Sequence, residues 1–268
     1  MYIDLMENTT IRFICNICDT RNEINISNFH RELAHCKNCK STPRFRGIIY
    51  HLSKALFGES LLLKYFPINK KIRGLEMSGW ETYACVLEEK FSYVNTFYDR
   101  DPKFDVTSGD YKCYQDLDFV ISTDVFEHIM PPVQTAFGNV FSMLKEKGVF
   151  VFSVPYMDGV ETLEHFQNIN KFQLYDFFGR KVLVNETKTG KFEVFDNLIF
   201  HGGEGCTLEM RVFAEKSIIM CLQRAGFKSI EIQNQPILEY GYYWPAKIER
   251  QELGLPSLGY LITVMKTL

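Results

Sequence analysis

From Lys71 onward, short apolar runs alternate with stretches of helical spacing. This alternation constrains the fold more than any single motif does. Parallel strands can be joined only by crossovers long enough to carry a helix, so the pattern implies an α/β domain around a parallel sheet. The expected strands are residues 72–76, 93–98, a short 104–106, 117–122, 149–154, 229–233 and 260–265. The run Leu144-Lys145-Glu146-Lys147-Gly148 should close a helix, with Gly148 as its stop, and a second helix should cover 209–225 before Gly226. Residues 155–208 interrupt the pattern as a long insertion after the fifth strand, and within it 181–185 and 191–195 read as a β-hairpin. Insertions at the carboxyl ends of strands commonly build a substrate wall.

Ahead of this domain stand Cys15-Asn16-Ile17-Cys18 and Cys36-Lys37-Asn38-Cys39, two CxxC pairs with seventeen residues between them. Each CxxC turn lets two thiolates point the same way, and two turns can close a tetrahedron around one zinc ion. With all four positions filled by Cys15, Cys18, Cys36 and Cys39, no position is open to substrate, so the role is structural. A full cysteine set leaves His30 and His35 as surface residues. The domain reading is a zinc ribbon over 1–43, a helical linker over 44–70 and the α/β domain over 71–268. In the linker, Arg44 and Arg46 read as solvated, with a grip on a phosphate as the alternative.

Residues 1–14 carry Asp4 and Glu7 and lack a basic start followed by an apolar core, so they are not read as a signal peptide. The longest apolar runs are far shorter than the roughly 20 residues a membrane helix needs. Eight cysteines argue for metal or free thiols rather than disulfides, and the expectation is a cytoplasmic protein without a membrane partner. The net charge of −3 gives no electrostatic footprint for nucleic acid. The oligomeric state is not legible.

The first strand ends in Glu76-Met77-Ser78-Gly79-Trp80, an acid followed by a small-residue turn into a helix. That is the half-unit on which nucleotide-like ligands sit in open α/β sheets. Asp99, after the second strand, can accept from both hydroxyls of a ribose. An acid at the first strand tip repels phosphate and suits a cationic amino acid. The pair fits S-adenosylmethionine better than NAD, whose pyrophosphate needs a full GxGxxG turn.

Two further segments carry a resemblance. Asp118-Phe119-Val120-Ile121-Ser122-Thr123-Asp124-Val125-Phe126-Glu127-His128-Ile129, and the passage from Leu144 through Gly148 to Pro155, resemble class I S-adenosylmethionine-dependent methyltransferases of the type 11/12-like group. The resemblance covers residues from Ile72 to the C-terminus. It implies a Rossmann-like, seven-stranded, mostly parallel sheet whose last strand, 260–265, runs antiparallel. It also assigns Glu76, Ser78 and Gly79 to the methionine end of the cofactor, Asp99 to the ribose and Asp105 and Val106 to the adenine edge. Ser122 and Thr123 would lie under the methionine moiety. The sequence departs from the family's acid-GxGxG turn, since only Gly79 remains and Ser78 stands where glycine is usual.

Methyl transfer from a sulfonium needs no acid for the leaving group, but a hydroxyl acceptor must lose a proton. His128, just after the fourth strand, and His201, before Gly202-Gly203 in the insertion, are the candidate catalytic bases. His165 reads as a helix-face residue. The spacing of Asp124, Glu127 and His128 also matches a ligand set seen in some metal-dependent O-methyltransferases. The functional expectation is methylation of a small-molecule acceptor, such as a hydroxyl of a sugar or secondary metabolite. An RNA base methyltransferase with a zinc ribbon and a non-catalytic binding module are the alternatives.

Overall fold

The computed structural model describes residues 9–201, 207–244, 247–250 and 255–267, with backbone alone for 247–250 and 255–257. The segments 1–8 and Gly202-Gly203 considered above lie outside the described residues. The chain opens with an antiparallel pair, β1 (Thr10–Ile14) and β2 (Arg21–Asn25). Helix α1 (Pro43–Phe57) follows. Thr42 caps its start, Pro43 sits in its first turn, and Gly58 ends it at φ 77°.

The main domain runs β3 (Arg73–Met77), α2 (Glu81–Lys90), β4 (Ser92–Thr96), β5 (Leu117–Thr123), α3 (Gln134–Met143) and β6 (Leu144–Ser153). The insertion adds an antiparallel sheet of β7 (Lys171–Phe177), β8 (Arg180–Glu186) and β9 (Phe192–Phe195). The chain then forms β10 (Arg211–Ala214), α4 (Glu215–Ala225), β11 (Ser229–Ile232) and β12 (Ile262–Met265). In the central sheet the strands lie in the order β11-β12-β6-β5-β3-β4. β3 to β6 are mutually parallel, and β12 runs antiparallel to both of its neighbours.

Period-two alternation in the inner strands decides which helix covers which face. Val120 of β5 and Phe150 and Phe152 of β6 pack with Phe137 and Val140 of α3 and Leu222 of α4. Phe119 and Ile121, and Val149 and Val151, point the other way, toward Ile48 and Leu52 of α1 and Tyr83 and Leu87 of α2. Cys15, Ile17 and Cys36 belong to that second cluster, so the amino-terminal module and the sheet share one apolar core. The crossover from β3 to β4 runs over one face, and that from β5 to β6 over the other. Strand order therefore reverses between β3 and β5, and a crevice opens at their carboxyl ends.

Three expectations are corrected. The sheet holds six strands among the described residues, not seven: residues 104–106 form none, and only an isolated bridge joins Phe97 to Lys103. Phe104 and Val106 are buried as expected of a strand, but the Asp105 side chain accepts from the Thr107 amide and closes a local turn. Asn139 also takes the Val106 carbonyl that a sheet ladder would use. The helix expected over 209–225 begins only at Glu215, because Arg211–Ala214 is buried throughout and pairs as a strand. The helix before β6 ends at Met143, and Lys147, at φ 64°, takes the left-handed turn expected of Gly148. Gly148 is needed for another reason: a Cβ there would stand 2.8 Å from the Leu117 carbonyl oxygen. The expected hairpin is present as β8 and β9, with Val184 opposite Val194.

Candidate active site at the carboxyl ends of the central strands

The two CxxC turns are built alike. The Asp19 amide donates to the Cys15 carbonyl and the Lys40 amide to that of Cys36, and Asp19 and Lys40 both take positive φ. The four thiols are free of disulfides, and their Sγ atoms all lie within 4.8 Å of one another. Four soft donors converging from two knuckles fit a tetrahedral ion such as Zn²⁺. Arg46 is fully buried beside this module, donating to the carbonyls of Ser41, Tyr240, Gly241 and Ala34 at 2.6–3.2 Å and lying over the Phe13 ring. It is a stitch between module and core, not a solvated linker residue.

At the crevice, β3 gives way to Ser78 at φ 57°, the conformation that glycine adopts without strain. Across from it, Asp124 leaves β5 at φ 56°. Two strained residues therefore flank the switch point, the kind of place where strain accompanies function. A cleft of ≈ 1060 Å³ opens here, lined among others by Ser78, Gly79, Trp80, Asn95, Asp99 and Thr123. Asn95 holds the turn by accepting from the Gly79 amide and donating to its carbonyl, at 2.8 and 3.0 Å. Trp80 stacks on Phe45 of α1 with ring centroids 4.7 Å apart.

Of the residues assigned to a cofactor, Ser78, Gly79, Asp99 and Thr123 line this cleft together. The other four do not line it. Glu76 is fully buried beneath Gly79, whose added Cβ would meet the Glu76 carboxyl carbon at 2.3 Å. The phenols of Tyr83 and Tyr93 both donate to the Glu76 carboxylate. Asp105 is engaged in its own turn, and Val106 and Ser122 are buried in the core. Asp99 thus brings two acceptor oxygens to the cleft beside the Ser78–Gly79 turn, while Glu76 is withdrawn from it.

Burial pushes the Glu76 carboxyl up to about 7, against the two phenols that pull it down. An unfolded glutamate titrates near 4.3, so between those values the folded state holds the proton more tightly. That contribution to stability is complete below the unfolded value and is lost as pH rises through about 7. Glu76→Gln keeps a hydrogen-bonding head group and removes the titration. From about pH 4 to about pH 8, its stability should gain on that of the parent by on the order of 3 kcal/mol. Denaturant titration of both proteins across that range measures this; a difference that does not change with pH would contradict the raised carboxyl.

The amino-terminal module reaches the same crevice through two arginines. Arg31 clamps Asp124 with both terminal nitrogens, at 2.8 and 2.5 Å, and also donates to Ser153 and the Gly259 carbonyl. Arg44 donates to Thr123 Oγ1 at 2.8 Å, and both arginines bind Glu32. Burial alone would raise the Asp124 carboxyl, but the two guanidiniums draw it down to about 2. Asp124 is therefore a permanent anion between two cations, and it is not available as a metal ligand beside Glu127 and His128. Arg44, expected to be solvated, is instead held by Glu32 and Thr123, and nothing in the composition of the ribbon segment or the linker signalled these pairings.

Next to Asp124, on the insertion side, lie the two histidines chosen as bases. His128 and His201 are brought together with ring centroids 5.1 Å apart. His128 Nδ1 is 2.9 Å from the Leu208 carbonyl, and burial lowers the ring's pKa from its ordinary value. Glu209 is almost fully buried between His165 at 2.7 Å and His201 at 2.9 Å. His165 sits just beyond the two-residue strand Leu163–Glu164, not on a helix.

No family model matches the chain, and no curated protein sequence does. Solved structures give distant likenesses. One is a putative S-adenosylmethionine-dependent methyltransferase from Listeria monocytogenes, 13% identical over 77% of this chain and 96% of that chain, with a TM-score of 0.42. A sugar N-methyltransferase from Streptoalloteichus is 12% identical over 74% of this chain and 81% of its own, with a TM-score of 0.40. A 1,6-didemethyltoxoflavin N1-methyltransferase from Burkholderia thailandensis, with its substrate and S-adenosylhomocysteine bound, is 14% identical over 87% and 94%, at a TM-score of 0.39. Likeness at this level bears on neither activity nor substrate.

Proposed function

We propose that the chain is an S-adenosylmethionine-dependent methyltransferase acting on a hydroxyl-bearing small molecule such as a sugar or secondary metabolite, with a structural Zn²⁺ held by its four amino-terminal cysteines. The observation that supports this reading is the cleft at the switch point of the sheet, where Ser78, Gly79, Asp99 and Thr123 converge. The cofactor, when bound, supplies a methyl group already activated on a sulfonium. Asp99 offers two acceptor oxygens for vicinal ribose hydroxyls. The Ser78–Gly79 turn allows close backbone approach. His128 and His201 stand on the acceptor side, where the proton of a hydroxyl must be managed. Among the described residues no helix is long and apolar enough to cross a membrane.

Asp99→Ala tests the cofactor assignment. Losing hydrogen bonds to a charged acceptor removes about 1.5–3 kcal/mol, so affinity for S-adenosylhomocysteine should fall about 10- to 100-fold. Asp99 is exposed and lines the cleft, so the melting temperature should not move. Unchanged affinity in this variant would remove Asp99 from the site. One observation favours a second reading, a binding module that kept the sheet. Glu76, the acid suited to a cationic ligand, is closed off by Gly79 and two phenols.

A further inference from the structure

Outside the cleft, one buried group lacks a counterpart. Glu127 lies in the short turn Phe126–His128, three residues beyond Asp124, and its side chain is 1% exposed. Among the described residues, neither of its carboxylate oxygens has a hydrogen-bond partner. Burying a carboxylate without a partner costs several kcal/mol, and interiors retain such groups by pairing them or by coordinating an ion. Two imidazoles stand beside it. Glu127, His128 and His201 each offer one donor atom, and the three atoms all lie within 4.8 Å of one another. His128 Nε2 is 3.8 Å from Glu127 Oε1.

We propose that Glu127, His128 and His201 form a second metal site, taking a divalent cation of the zinc, manganese or iron(II) class. The surrounding contacts are those a metal site requires. Histidines bound to metal generally give their other ring nitrogen to a carbonyl or a carboxylate, which fixes the tautomer and aims the ring. His128 has the Leu208 carbonyl against Nδ1, which leaves Nε2 on the side of Glu127. His201 has Glu209 against Nε2, and Glu209 is itself braced by His165. Glu209 thus orients the ring through a carboxylate–histidine contact, and Asp124, committed to Arg31 and Arg44, takes no part.

The donor set selects the class of ion. Two imidazoles and one carboxylate suit borderline divalent metals, whereas calcium and magnesium favour oxygen-only shells. Three protein ligands also leave a coordination position open to water or to an acceptor oxygen, unlike the closed four-thiolate site. This deepens the methyl-transfer reading, and only the acceptor's use of the open position rests on that reading. Binding of the ion does not. In this arrangement the two histidines hold the ion rather than act as free bases, and the ion is what would make a bound hydroxyl acidic.

The test is the ion content of the full chain. Protein loaded with Co²⁺ and desalted should retain two ions per chain by elemental analysis. One ion gives the thiolate-to-cobalt absorption of the cysteine site, and the other lacks it. Glu127→Gln, which preserves shape, should weaken the second ion at least about tenfold and leave the thiolate absorption intact, which also reports that the amino-terminal module has folded. His201→Ala should do the same. A parent chain that holds only the thiolate-bound ion overturns the proposal, and so does a Glu127→Gln variant that binds both ions as tightly as the parent. Calorimetry with S-adenosylhomocysteine on the same samples is independent of ion content, so failure of the metal site and failure of the cofactor reading are separate results.

Discussion

If the four cysteines hold zinc as proposed, Cys36→Ser is expected to abolish zinc binding and to lose most of the folded protein with it. A structural zinc site contributes about 10–16 kcal/mol of apparent binding energy, and a whole domain is stable by only about 5–15 kcal/mol. In a protein whose metal module stood apart, the damage would stay local. Here Cys15, Ile17 and Cys36 pack in one apolar cluster with Ile48 of α1 and Val149 and Val151 of β6. Opening the cysteine site would also release Arg46, whose four carbonyl partners include Ser41 and Ala34 of the same module. Zinc content and thermal unfolding measure the effect together. A Cys36→Ser protein that keeps its ion and its melting temperature would contradict the assignment.

Asp124→Asn is expected to destabilise the fold by about 3 kcal/mol, the low end of the cost of removing one partner from a buried ion pair, since the Asp124 side chain is 25% exposed. Asparagine tolerates the left-handed conformation that Asp124 adopts, so the substitution removes charge with little added strain. Two guanidiniums would then share the pocket with Glu32 as their remaining salt-bridge partner among the described residues. Glu32 is 38% exposed, so Glu32→Gln should cost less than about 1 kcal/mol and serves as the comparison. Denaturant titration of the two variants should show this asymmetry, and it should persist in good part at high salt because Arg31, which holds both Asp124 oxygens, is only 9% exposed. Equal effects in the two variants would mean that the pair contributes as a surface bridge does.

β5 and β6 were legible because each carries a continuous apolar run, residues 119–121 and 149–152, that needs no partner to be recognised. β3 and β5 lie within a residue of their expected bounds, and the cysteine spacing was enough to bring four thiols together. What escaped the sequence depends on contacts between distant positions. Arg31 meets Asp124 across 93 residues of chain, and a lone arginine in a polar segment looks solvated until its partner is known. Glu76 was read as facing a ligand because it ends a strand. Tyr83, on the helix after it, and Tyr93, on the next strand, turn the carboxylate into a core group. Residues 104–106 show the limit of apolarity as a signal: Phe104 is buried against Tyr114, but burial does not make a strand when a side chain closes the backbone locally. His128 and His201 were chosen separately, and no local pattern linked either to Glu209.

The central claim is that the crevice between β3 and β5 is a cofactor site, and calorimetry with S-adenosylhomocysteine on the unmodified chain tests it most directly. The account predicts one saturable site per chain at micromolar concentrations, about −8 kcal/mol, weakened by Asp99→Ala. Absence of any heat of binding at millimolar ligand, about −4 kcal/mol or weaker, from protein with its zinc in place would contradict it.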